Sequence, residues 1–130
     1  MELYPALSKE LARKRAQLAP EISGAFKKFS QAVFADGALP VKTKQLIAVA
    51  VAHVTQCPYC IRGHTELAVK HGASEQEVME AIWVAAEMRA GAAYAHANLA
   101  LETMSQLESE PVRRLKVDCL VRFPHEKKGG

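Results

Sequence analysis

Apolar residues recur at helical rather than strand spacing along most of this 130-residue chain. Leu7, Leu11, Ala12 and Leu18, set against Lys9, Glu10, Arg13, Lys14 and Arg15, predict a peripheral amphipathic helix that ends before Pro20. Ile22, Phe26, Phe29 and Val33 follow at spacings of four, three and four residues. They predict a second helix whose aromatic stripe is expected in the core, closed by a left-handed cap at Asp36-Gly37. Pro40 is suited to start a third helix, and Leu46, Ile47, Val49, Ala50, Val51 and Val54 make it apolar nearly all round, as expected of a buried helix. Ile61, Leu67, Ala68 and Val69 extend a fourth helix to His71-Gly72, where glycine supplies the stop and His71 a C-terminal capping side chain. Ser74-Glu75-Gln76-Glu77 has capping-box form and opens the longest helix, from about Glu75 to about Glu108, with Gly91 the place for a bend or break. Its many alanines permit close helix pairing, and Trp83 is expected in a core or an interface.

The pattern changes after Glu110-Pro111. Leu115, Val117, Cys119, Val121 and Phe123 alternate with Lys116, Asp118, Leu120 and Arg122, a period-two run that predicts an extended segment with no strand partner in the chain. Such a segment is expected to lie along a neighbouring subunit, with Cys119 as a packing residue. No linker, repeat or low-complexity stretch divides the chain, so residues 1–130 are read as a single all-α domain. It is expected to have five to six helices and a short extended C-terminal tail.

Chemistry concentrates where the third helix gives way to the fourth. Cys57-Pro58-Tyr59-Cys60-Ile61-Arg62-Gly63-His64 places two thiols and an imidazole within eight positions. Pro58 is poorly tolerated inside a helix and well suited to its first position, so the preceding helix is expected to end near Gln56. Cys57 then adjoins the N-cap and Cys60 lies in the first turn, where unpaired amides and the helix dipole favour a thiolate. His64, four residues beyond Cys60, shares its helical face and can exchange a proton with it. These are the parts of a dithiol/disulfide centre.

Other readings use the same residues. His53 completes a His-x3-Cys-x2-Cys-x3-His spacing that suggests zinc. On one continuous helix, however, the four positions span roughly 16 Å at about 1.5 Å per residue, too far for one ion. A break at Pro58 would fold that stripe back and keeps the metal alternative open. A c-type haem motif fails because Ile61, not histidine, follows Cys60. Two buried structural cysteines are the remaining alternative.

A hydrophobic content of 49% suffices for a core without a disulfide scaffold, and three cysteines do not form the even, dispersed set of a secreted disulfide-rich domain. There is no run of signal-peptide or membrane-span length, so a soluble protein in a reducing cytoplasm is expected, with no membrane partner. The net charge of +3 rests largely on two short clusters, Arg13-Lys14-Arg15 and Arg113-Arg114-Lys116, without interleaved aromatics. Nucleic acid is therefore not an expected partner.

The stretch Pro40-Val41-Lys42-Thr43-Lys44-Gln45-Leu46-Ile47-Ala48-Val49-Ala50, then Cys57-Pro58-Tyr59-Cys60 with His64, then Gly72-Ala73-Ser74 and Glu80-Ala81-Ile82, resembles the carboxymuconolactone decarboxylase superfamily, specifically its AhpD-like alkylhydroperoxidase branch. The resemblance runs from Pro40 to about Ala100. It implies an all-α fold, assembly into trimers or hexamers, and thiol-dependent peroxidase or disulfide-exchange chemistry without metal or organic cofactor. Cys60 would be the peroxide-attacking thiolate, Cys57 the resolving thiol and His64 the proton acceptor. A hydroperoxide or other oxidant and an external thiol or dithiol reductant are the implied partners.

Two positions depart from the family pattern. Gln45, twelve residues before Cys57, stands where relatives usually carry a relay glutamate, and Tyr59 stands where some have a second histidine. An amide can orient His64 or a water but cannot carry a proton away, which implies weak peroxidase turnover. Gln45 and Tyr59 are thus expected in supporting roles, and His53 and His96 as core or interface histidines. A lactone decarboxylase and a non-enzymatic redox-sensing module are the alternative functions.

Overall fold

A computed structural model describes residues 3–6 and 8–109. All regular structure among them is helical: α1 Lys9–Gln17, α2 Pro20–Phe34, α3 Val41–Thr55, α4 Pro58–Lys70 and α5 Glu75–Ser109. The expected strand-like segment and Cys119 lie outside the described residues. The chain divides into two compact units, Met1–Met88 and Arg89–Gly130, and α5 spans the division.

Local side chains explain most of the helix boundaries. Ser8 caps α1, its Oγ accepting from the Leu11 amide at 3.1 Å. Pro20 and Pro58 each occupy the first turn of their helix, where a missing amide hydrogen costs nothing. The third helix ends at Gln56, which takes the left-handed conformation at φ 56° although it is not glycine, and the Cys57 amide closes the turn onto the Ala52 carbonyl at 3.1 Å. Gly72 takes φ 92° after α4, and the ring of His71 bonds the Leu67 carbonyl at 3.1 Å. The capping box is reciprocal, with the Ser74 amide donating to Glu77 and the Glu77 amide to Ser74, each at 3.1 Å. Glu77 also pairs with Lys42 at 3.0 Å, joining the start of α5 to the start of α3.

The end of α2 differs from expectation. Gly37 is not left-handed; the helix stops at Phe34 and Ala35 is extended. Lys44 does the work assigned to the glycine, its Nζ donating to the carbonyls of Val33 at 2.8 Å and Ala35 at 2.6 Å. Asp36 instead serves the next helix, its Oδ1 accepting from the Val41 amide at 2.9 Å, so α3 begins one residue after Pro40.

The core is small and lies where α3, α4 and the start of α5 meet. Val49, Ala68, Ala73 and Val78 are buried there, with Leu46 and Ile82 packed against them. The third helix is not buried all round. Gln45, Val49 and Ala52 form its inner stripe, whereas Ile47, Val51 and Val54 face outward. The aromatic stripe of α2 is likewise not a core: Phe26 and Phe29 are 68% and 64% exposed, and Trp83 is 69% exposed. Periodicity identifies an apolar face, but burial requires an element to cover it, and none of the described residues does so. No break occurs at Gly91, and α5 runs through it.

Candidate active site

The third and fourth helices are joined only by Gln56 and Cys57, a connection short enough to turn the chain back on itself. That return brings α3 and α4 into the most extensive helix pairing among the described residues. Residues on the facing sides of the two helices then meet. Gln45, nineteen positions before His64, meets it with Oε1 at 2.7 Å from the ring Nδ1. An amide oxygen only accepts, so Nδ1 carries the proton and donates, leaving Nε2 as the basic nitrogen. Gln45 is 3% exposed, so this orientation is held out of water. Phe34, the last residue of α2, stacks on the imidazole ring with ring centroids 5.1 Å apart and planes 27° from parallel. His64 is thereby fixed by three helices.

Cys57 and Cys60 are joined in a disulfide across the first turn of α4, with their α-carbons 5.3 Å apart. Cys57 is the N-cap residue, and its Sγ accepts from the Cys60 amide at 3.3 Å. A helix N-terminus stabilises negative charge, so this amide favours a thiolate at position 57 once the disulfide opens. Both cysteines are half-buried.

Cys60 and His64 line one cavity of about 420 Å³. Its walls are mainly apolar, from Val33 and Phe34 on α2 and from Ile47, Ala48 and Val51 on α3. This arrangement puts a half-buried sulfur and an oriented imidazole beside a space that suits a small organic molecule. Tyr59 points elsewhere. Its hydroxyl donates to the Pro5 carbonyl at 3.0 Å and its ring meets Tyr4 edge-on at 6.0 Å, pinning the segment that precedes α1.

His53 Nδ1 is bonded to the carbonyl of Val49 in its own helix at 2.7 Å, and His96 is exposed in the second unit. Among the described residues, no three His, Cys, Asp or Glu side chains are placed to hold a metal ion. Phe34 and Lys44 are the site residues that the sequence reading did not single out. Phe34 follows Val33, at the end of the apolar stripe, and its aromatic character was the available signal.

Known proteins share this framework. The chain is 64% identical over 87 residues to an uncharacterised protein in the cox locus of Paracoccus denitrificans, covering 67% of this chain and 78% of that one. A crystal structure of a carboxymuconolactone decarboxylase family protein from Legionella pneumophila superposes with a TM-score of 0.57 at 39% identity, over 75% of this chain and 86% of that one. A family protein from Thermotoga maritima gives a TM-score of 0.51 at 30% identity, over 68% and 92% of the two chains. The carboxymuconolactone decarboxylase family model matches residues 20–103, a span that takes in α2, α3, α4 and most of α5. The chain belongs to the carboxymuconolactone decarboxylase family.

Proposed function

We propose that the chain is a thiol-dependent peroxidase or disulfide oxidoreductase in which Cys57 and Cys60 cycle between dithiol and disulfide. The observation that carries this reading is the shared cavity: Cys60 of the disulfide and a Gln45-oriented His64 line the same apolar space. In the reduced protein, His64 Nε2 takes the Cys60 proton, and the Cys60 thiolate attacks the distal oxygen of a hydroperoxide. The O–O bond breaks, Cys60 becomes a sulfenic acid, and the departing alkoxide leaves as an alcohol with the proton held by His64. The Cys57 thiolate then displaces the sulfenic oxygen. The products are the disulfide and one alcohol, with the oxygen lost from Cys60 leaving as water.

An external thiol or dithiol must return two electrons, and a reducing compartment such as the cytoplasm supplies such donors. The Thermotoga maritima relative is described as having a suggested involvement in the antioxidative response, which supports the same reading. Assembly into a trimer or hexamer is part of the proposal, because the exposed stripe of α2 needs a cover that the described part of one chain does not provide.

The test is thiol mass spectrometry of reduced protein mixed with stoichiometric cumene hydroperoxide, followed by turnover with dithiothreitol. Disulfide formation together with alcohol production supports the proposal. A dithiol inert to hydroperoxides but readily oxidised by diamide would refute peroxidase activity and favour a redox-sensing role.

A further inference from the structure

A second cleft, of about 410 Å³, also opens beside the disulfide. Cys60 borders both spaces, whereas Cys57 borders only this one of the two. Ser8, Leu11 and Arg15 of the α1 region face Tyr59 and the two sulfurs across it. Tyr59 holds the outer wall in place through its bond to the Pro5 carbonyl at 3.0 Å. Ser8 is already committed to capping α1 through its 3.1 Å bond from Leu11.

Arg15 is therefore the polar group left for a ligand. It has no hydrogen-bond or ion-pair partner among the described residues, and no acidic side chain lines the cleft. A guanidinium presents a planar fork that matches a carboxylate. The volume fits a small molecule rather than a protein domain.

We propose that this cleft is the entrance for the electron donor, that the donor is a small thiol or dithiol bearing a carboxylate, and that it attacks Cys57. This rests on the redox reading above but concerns the reductive half of the cycle alone. Arg15 receives the carboxylate, and the donor thiolate attacks Cys57 Sγ. A donor–Cys57 disulfide forms as the Cys57–Cys60 bond breaks, and Cys60 leaves as a thiolate on the side of His64. A second donor thiolate, or the second arm of a dithiol, attacks the donor sulfur. It releases oxidised donor and a Cys57 thiolate, which the Cys60 amide receives. Two electrons pass from donor to protein. The oxidant's cavity need not be vacated by the donor, because the two reagents reach the disulfide through separate spaces.

The experiment oxidises the protein with diamide, which makes it independent of any peroxide reaction, and follows the return of free thiols by acid quench and mass spectrometry. Mercaptosuccinate, 2-mercaptoethanol and cysteamine serve as anionic, neutral and cationic donors for wild type, Arg15→Lys and Arg15→Glu. Comparing each donor with itself across variants cancels differences in intrinsic thiol reactivity. Arg15→Glu is expected to slow mercaptosuccinate about fivefold relative to its effect on 2-mercaptoethanol, the scale of an exposed ion pair, with Arg15→Lys largely restoring the rate. In a second arm, the symmetric disulfide of mercaptosuccinate is expected to label Cys57 in Cys60→Ser faster than Cys60 in Cys57→Ser. Equal effects of Arg15→Glu on all three donors, or faster labelling of Cys60, would overturn the proposal. Hydroperoxide oxidation of the wild-type dithiol is measured separately. Its failure would remove the peroxidase reading while leaving the donor selectivity to stand or fall on its own data.

Discussion

Replacing Gln45 by glutamate tests whether the bond to His64 limits the chemistry. The side chain is 3% exposed and its oxygen lies 2.7 Å from Nδ1, so a carboxylate of the same shape would accept the same hydrogen bond. The difference is charge. A neutral amide orients the imidazole but gives the imidazolium little help, whereas an opposite charge at this distance stabilises an ionised partner by about 1.4–4 kcal/mol. Burial of the carboxylate opposes that gain, so the lower end applies, about a tenfold shift toward the state in which His64 holds the Cys60 proton. The new charge also repels a thiolate. That repulsion is the smaller effect, because Gln45 bonds His64 directly but does not line the cavity that Cys60 borders, and Coulomb energy falls with distance. Gln45→Glu is thus expected to alkylate Cys60 with iodoacetamide about tenfold faster at pH 7 and to raise hydroperoxide turnover by a similar factor. Rates are read by quenched-flow mass spectrometry on reduced protein. Faster alkylation without faster turnover would place the slow step elsewhere; unchanged alkylation would refute the assigned role of the Gln45–His64 bond.

The other predictions concern the same site and its support. His64→Ala is expected to cut hydroperoxide turnover on the order of 10²-fold and to move Cys60 alkylation to higher pH, while circular dichroism stays unchanged; equal alkylation at neutral pH would separate His64 from Cys60. Val49→Ala truncates the largest fully buried side chain among the described residues and is expected to cost about 2–3 kcal/mol in urea unfolding, whereas a loss below about 1 kcal/mol would mean that the small core is not the main source of stability. The Ser74 amide, and after it Lys42, hold the Glu77 carboxyl below its ordinary value of 4.5. Its contribution is therefore complete well above pH 4.5 and is lost as pH falls through the lower folded value. The gap in thermal midpoint between wild type and Glu77→Gln should be constant near neutrality and shrink below that pH, and a gap independent of pH would refute it.

The parts of this structure legible in the sequence are those set by neighbours along the chain. Pro58 announces the start of α4, Gly72 its end, and Ser74 with Glu77 the start of α5, because each boundary depends on which backbone groups a residue can satisfy within a few positions. Gln56 was less legible, since glycine or asparagine is the usual signal for a left-handed residue and glutamine carries none. The end of α2 was misread for a related reason. Asp36-Gly37 has the composition of a cap, but the carbonyls at that end are met by Lys44 from the next helix. Nothing in the local sequence distinguishes a lysine that crosses back from one that faces solvent.

The candidate site divides along the same line. Cys60 and His64 occupy one helix and Cys57 caps it, so spacing alone brings Cys60 and His64 to one face beside Cys57, and the two-residue turn then delivers Gln45 to His64. The second cleft has no such signature, because it exists only where α1 and the Tyr4-Pro5 segment come to rest beside Tyr59. Arg15 belongs to a basic run that reads as ordinary solvated surface, and only its position opposite the disulfide gives it a chemical meaning. The α2 stripe shows the converse. Its period announces that Phe26 and Phe29 will be covered, yet the covering surface is not among the described residues, and amphipathicity carries no information about whether the cover comes from the same chain or from another copy. A site assembled within one hairpin can therefore be read from sequence, whereas one assembled between elements distant in sequence requires the structure.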